Sequence, residues 1–210
     1  MKLKNVLKDF LDGISAGLLI VIGCSIFLAC SSEGHKIIGA VLFSVALLCI
    51  CYKGLNLFTG KVGFIPEKHD KSAVSTLLIG LLGNLVGTLV FGIAVSYAIP
   101  SLNQTAIVLA NGKYVQYLWQ ALIRAIFCGV LMYLAVSIFK DGKTIAGIIF
   151  CIPVFILSGF EHSIADMGYF AIAREFSFDG FVFIMVVIVG NAIGGMLLPL
   201  LKLKTKKDNE

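Results

Sequence analysis

The chain is a succession of long apolar runs parted by short polar stretches. Six runs stand out, at about Gly13–Cys30, Ile37–Leu57, Ala73–Ile99, Val115–Phe139, Thr144–Phe170 and Phe178–Leu201. Each approaches or exceeds the roughly 20 apolar residues that a helix needs to cross a bilayer. None alternates polar and apolar residues at every second position, as the strands of a membrane barrel would. The pattern predicts an all-α membrane protein of six transmembrane helices, with almost no chain left for a soluble domain.

Two of the runs are interrupted. The second ends in Lys53-Gly54-Leu55-Asn56-Leu57-Phe58-Thr59-Gly60-Lys61-Val62-Gly63, ahead of the charged stretch from Glu67 to Lys71. Two readings fit it. One is an ordinary helix end with glycine after it. The other is a helix that breaks and continues irregularly, which a membrane tolerates only where the backbone is buried in protein or lines a cavity. The fifth run contains Ser158-Gly159-Phe160-Glu161-His162-Ser163-Ile164-Ala165-Asp166-Met167. Lipid offers no water to such side chains, so this cluster must face a protein interior or a water-filled path.

The third and sixth runs share a signature. Gly83-Asn84-Leu85-Val86-Gly87 and Gly190-Asn191-Ala192-Ile193-Gly194 are both Gly-Asn-x-x-Gly, and each follows an interrupted run. The chain therefore reads as one transmembrane domain over residues 1–210, built of two repeats at about 13–99 and 115–201. Three spans per repeat is an odd number, so the second copy must enter the membrane inverted. Inverted repeats with helices broken in matching positions mark transporters and channels, with the path at the repeat interface. The expected fold is six spans with broken second and fifth helices, in an aquaporin-like arrangement.

Composition agrees with the pattern. Hydrophobic residues make up 59%, charged residues only 14%, and the mean hydropathy is +0.98; soluble domains carry about 25% charged residues. The net charge of +5 is no nucleic-acid signal, because the basic residues sit in loops. With the N-terminus inside, Lys2, Lys4, Lys8, Lys53, Lys61, Lys68, Lys71, Lys140, Lys143, Lys202, Lys204, Lys206 and Lys207 are internal, and only Lys36, Lys113 and Arg174 are external. That asymmetry predicts cytoplasmic termini in a cell membrane. The opening Met-Lys-Leu-Lys leads into an apolar segment without a small-residue cleavage site, so the first span is expected to be retained. Arg124 is left within a span, where it should pair or snorkel. The six cysteines lie in apolar runs and read as packing residues. Neither a metal nor a cofactor is expected. Gly13, Gly17 and Gly23 mark a close-packing face on the first helix.

Leu57-Phe58-Thr59-Gly60 followed by Gly159-Phe160-Glu161-His162-Ser163-Ile164-Ala165-Asp166-Met167 resembles the formate/nitrite transporter family. The likeness runs over nearly the whole chain, and Phe-Glu-His-Ser is its most specific piece. It extends to Gly39-Ala-Val-Leu-Phe43 and to Ala125-Ile-Phe-Cys128 through Leu134-Ala135. The resemblance implies a homopentamer whose subunits each hold a pore for small monovalent anions such as formate, nitrite, lactate or hydrosulfide. It implies that His162 faces the pore centre with Thr59 opposite. It puts Phe43, Leu47 and Phe155 at one apolar constriction and Leu57, Phe58 and Met132 at another, with Lys113 as the family lysine ahead of the fourth span. Three positions depart from the family pattern: Asn56 is often acidic there, and Gly129 and Asp166 are usually asparagine.

The chemistry points the same way. A bare anion in a dry apolar ring is costly, and protonating it costs less than burying its charge. Lys113 could attract the anion, the phenylalanines and leucines could exclude hydrated ions, and His162 has the ordinary pKa nearest physiological pH. Glu161, next to His162, should point elsewhere on a helix and anchor the broken segment, through backbone N–H groups or a cation. Asn84 and Asn191 are expected to hold the loose backbone of the breaks. Asp166, one turn from His162, should hold an imidazolium yet repel an anion. Two other classes compete. A membrane hydrolase would need Ser163 and His162 as a nucleophile–base pair, but neighbours on a helix face about 100° apart, a poor geometry for it. A passive pore for water, glycerol or ammonia fits the span count, although paired Asn-Pro-Ala motifs are absent.

Overall fold

The computed structural model describes residues 3–68 and 71–207. Lys2, and His69 and Asp70 of the charged stretch, lie outside the described residues. The chain runs through α1 (Leu3–Ser32), α2 (Lys36–Lys53), α3 (Phe58–Lys61), a 3₁₀ turn at Val62–Phe64, α4 (Ile65–Lys68), α5 (Lys71–Ala98), α6 (Pro100–Tyr114), α7 (Leu118–Gly142), α8 (Ala146–Leu157), α9 (Ser163–Ala173) and α10 (Phe178–Lys207).

Among the described residues five helices, α1, α2, α5, α7 and α10, are long and apolar enough to cross a membrane. The fifth run, Thr144–Phe170, is interrupted and is not one helix. It is α8 and α9, of 12 and 11 residues, each roughly half the ~30 Å apolar thickness at 1.5 Å per residue. The second run is broken too. It stops at Lys53 and resumes at Phe58, so the chain breaks there and continues as short helical pieces.

Both breaks are made by the same device. Gly54 after α2 has φ 66° and Gly159 after α8 has φ 69°, a conformation that glycine adopts without a Cβ clash. At the first, the Gly54 N–H donates to the Cys51 carbonyl (3.2 Å) and Leu55 N–H to that of Ile50 (3.0 Å). At the second, Gly159 donates to Ile156 (3.2 Å) and Phe160 to Phe155 (3.0 Å). This pairing closes the orphan carbonyls of a helix end and turns the chain out of the axis.

The segment 100–114, expected to be an external loop, is the helix α6. Pro100 opens it and Lys113 closes it, both favourable placements. Its mixed sequence hides the element, because only Leu102, Asn103, Ala106 and Ala110 are buried. It packs chiefly on α9, and Asn103 Nδ2 donates to the Ile172 carbonyl at 2.8 Å.

The long helices pack in two matched pairs, α1 with α5 and α7 with α10. Glycines bring the backbones together in both. A Cβ on Gly13 would lie 2.6 Å from the Gly80 carbonyl oxygen, and one on Gly190 would lie 2.9 Å from that of Leu122. Such contacts replace the missing hydrophobic drive between helices in lipid. Gly23 instead makes room for Phe43 and Ala46 of α2. The outer faces carry apolar residues such as Leu78, Leu82, Phe127 and Val189, as lipid or a neighbouring subunit requires.

Candidate functional site

The two breaks meet. Leu57 and His162 are the extended residues that precede α3 and α9. Thr59, in the first turn of α3, places Oγ1 2.9 Å from His162 Nε2. The Nδ1 atom of His162 accepts the Ala165 N–H at 3.0 Å. An accepting Nδ1 carries no proton, so the ring proton sits on Nε2 and is donated to Thr59. His162 is thus the N-cap of α9 as well as the partner of Thr59, and its ring has one fixed orientation.

Asn84 and Asn191 hold the two breaks alike. Asn84 Oδ1 accepts the Phe58 N–H at 2.9 Å, and its Nδ2 donates to the carbonyls of Gly13 (2.9 Å) and Asn56 (2.8 Å). Asn191 Oδ1 accepts the Ser163 N–H at 2.8 Å, and its Nδ2 donates to those of Ala125 and Glu161, both at 2.9 Å. Each carboxamide ties the opening of a half-helix to the break before it and to a neighbouring long helix.

Apolar residues enclose the polar pair. Phe43 and Phe155 meet edge to face at 6.4 Å, and Phe155 stacks on the His162 ring at 5.5 Å. Leu47, Leu57, Phe58 and Met132 are all buried. A cavity opens on either side. One, of about 250 Å³, is lined by Lys113, Gln116, Arg124, Phe155, Glu161, His162, Asp166 and Tyr169 among others. The other, of about 90 Å³, is lined by Leu47, Ile50, Leu57, Gly60, Lys61, Val136, Phe139 and Lys140 among others. Leu47, grouped by the resemblance with Phe43 and Phe155, therefore opens onto the cavity shared with Leu57.

The charges of the larger cavity are paired. Lys113 is mostly buried, with 12% of its side chain exposed, and bridges two carboxylates. Its Nζ hydrogen-bonds Glu161 Oε2, and it lies 2.8 Å from Asp166 Oδ1. Gln116 Nε2 donates to Glu161 Oε1 at 2.7 Å. Lys113 is thus no free cation at a mouth, and Asp166 faces a lysine rather than the imidazole. Glu161 lies in the extended break, not on a helix, and shares the cavity with His162. Gln116 is a member that the residue pattern did not single out. Its signal is its place three residues after Lys113, just past the end of α6.

The other two departures, Asn56 and Gly129, also have structural consequences. Asn56 is buried, and its Nδ2 donates to the Thr76 carbonyl at 3.0 Å, so it ties the first break to α5. A Cβ at Gly129 would collide with the Asn191 carbonyl oxygen and lie 2.8 Å from the Gly195 amide nitrogen. The tight approach of α7 to α10 thus leaves no room for a side chain there. Ser163 Oγ is buried without a hydrogen-bond partner among the described residues, while both His162 nitrogens are engaged elsewhere, so the two do not form a nucleophile–base pair.

A multi-pass membrane protein whose two broken helices meet at a polar pair between apolar side chains has the build of a channel or transporter. Residues 2–203 match the family model described as formate/nitrite transporter, and the chain belongs to that family. Its relatives and structural neighbours are channels and transporters rather than enzymes. The chain is 29% identical to the transporter YwcJ of Bacillus subtilis (strain 168), over 94% of this chain and 86% of that one. It is 28% identical to the formate channel FocB of Escherichia coli (strain K12), over 93% and 85%. A pentameric formate channel solved with formate bound shares the fold, with a TM-score of 0.83 at 21% identity over 99% of both chains.

Proposed function

We propose that this protein passes small monovalent anions, or the weak acids they form, through a pore within each subunit. The observation that carries the reading is the Thr59–His162 contact of 2.9 Å, set where two half-helices meet and walled by Phe43, Phe155, Leu47, Leu57, Phe58 and Met132. A hydrated ion cannot keep its shell through such a wall, whereas a small acid that sheds its charge can. Thr59 and His162 offer the one hydrogen-bonding step between the two cavities. The larger cavity, with Lys113, Glu161 and Asp166, collects substrate on one side.

The matched roles of Asn84 and Asn191, of Gly54 and Gly159, and of the α1–α5 and α7–α10 pairs support one domain built of two inverted repeats. On this reading the two half-helix pairs supply the second and fifth of six spans. The lysine distribution supports cytoplasmic termini in the cell membrane and, with them, an outward-facing Lys113 cavity. The solved pentameric formate channel supports a homopentamer, and its bound formate, with the name of the FocB relative, supports formate among the substrates.

The test is a proteoliposome flux panel of formate, nitrite, lactate and hydrosulfide across pH, with water and glycerol as the neutral comparison, on the native protein and on His162→Asn. Movement of one or more of the anions, with altered rate, selectivity or pH dependence in His162→Asn, is expected. Water or glycerol flux alone would overturn the reading in favour of a neutral-solute pore.

A further inference from the structure

The larger cavity holds two cations and two carboxylates, but they are not distributed evenly. Lys113 binds both Glu161 and Asp166. All three are largely buried. An anion entering this cavity meets a lysine already saturated and an Asp166 Oδ2 that has no hydrogen-bond partner among the described residues. That cluster offers it no unengaged cation. The cavity's other cation is Arg124, in the second turn of α7. Arg124 is exposed, lines the same cavity as Lys113 and Asp166, and makes no hydrogen bond or ion pair among the described residues.

Chemistry makes the choice of arginine informative. A guanidinium is a planar fork that matches two coplanar oxygens on one atom. Formate, nitrite and carboxylates of the lactate kind have such a pair. Hydrosulfide and chloride present a single atom and gain only the charge. We propose that Arg124 is the anion-capture and specificity residue of this cavity, and that it selects two-oxygen anions over monatomic-headed ones. Lys113, in contrast, holds Glu161 and Asp166 in place. The proposal rests on the anion-conducting reading above and adds to it a residue and a shape of substrate.

The test compares native protein, Arg124→Lys and Arg124→Gln in proteoliposomes, with initial uptake of formate, nitrite and hydrosulfide measured against concentration. Arg124→Lys keeps the charge and loses the fork. It is expected to raise KM for formate and nitrite about tenfold, the worth of a charge-assisted hydrogen bond, while KM for hydrosulfide stays within about twofold. Arg124→Gln is expected to raise KM for all three. Unchanged formate and nitrite KM in both variants, or an equal rise for all three anions in Arg124→Lys, would overturn the assignment. Native protein that moves none of the three would overturn the underlying anion reading instead, so the two failures are told apart.

Discussion

Asn84 and Asn191 do the same structural work at two distant points of the chain. Each accepts the N–H that opens a half-helix, and each donates to the carbonyl two residues before that N–H and to a second long helix. Backbone groups freed by a helix break have no water to turn to in a membrane. One buried carboxamide at each break supplies what water would.

Replacing either asparagine by alanine should therefore unsettle the fold more than a typical surface change. The substitution strands a buried N–H and withdraws a donor from two carbonyls, at a cost of about 1–3 kcal/mol. Asn84→Asp and Asn191→Asp should be no better, because a carboxylate keeps the acceptor but cannot donate to the carbonyls. Thermal unfolding of the detergent-purified protein would check this, and variants as stable as the native protein would contradict it.

Thr59 offers a sharper test of the polar step, because the contact to His162 depends on one hydroxyl. Thr59→Ser keeps the hydroxyl and Thr59→Val keeps the shape. Flux should survive the first and fall about tenfold in the second, the worth of one buried hydrogen bond. Equal flux in the two would mean that the hydroxyl is incidental.

Gly129 probes the packing of α7 on α10. Alanine there meets the Asn191 carbonyl oxygen, so the helices must part and the Asn191 hydrogen bonds lengthen. A loss of about 1–3 kcal/mol is expected for this overpacking, and asparagine should do worse than alanine. Improved stability in Gly129→Asn, the residue usual in the family, would show that α7 and α10 can separate freely.

Much of this architecture was legible from residue patterns because lipid punishes polar groups so severely. Gly54 and Gly159, the Glu161-His162-Ser163 cluster and the two Gly-Asn-x-x-Gly signatures were each conspicuous against an apolar background, and each stands at a break or its support. What escaped was governed by contacts between distant segments. α6 carries only four buried positions in a mixed sequence, so neither a hydrophobic run nor a clear period announces it. Glu161 was expected to point away from His162 because adjacent residues diverge on a helix, but the chain there is extended. The saturation of Lys113 depends on α6 meeting the second break, a pairing that spacing along the chain does not encode. Arg124 was noticed as a charge within a span, but its cavity was not.

Asp166 is where electrostatics and family pattern diverge, and Asp166→Asn tests which governs entry. In the native protein Lys113 answers two carboxylates, one of them Asp166 at 2.8 Å. Asparagine removes the ionisable carboxyl from this buried cluster, leaving Lys113 to answer Glu161 alone and Arg124 opposed by one acidic group fewer. At an effective dielectric of about 20, one full charge at about 8 Å is worth about 2 kcal/mol, so a fall in formate KM of up to about thirtyfold is expected at low ionic strength, at a pH where Asp166 is ionised. Added salt should shrink that gain in proportion to how open the cavity is to solvent. Asparagine also brings donors into a site where Asp166 Oδ2 already lacks a partner, so thermal unfolding should be followed in parallel to separate a weakened fold from altered entry. A rise in KM with stability intact would mean that the Asp166 carboxylate assists the substrate rather than repelling it, as a group that hands a proton to the entering anion would.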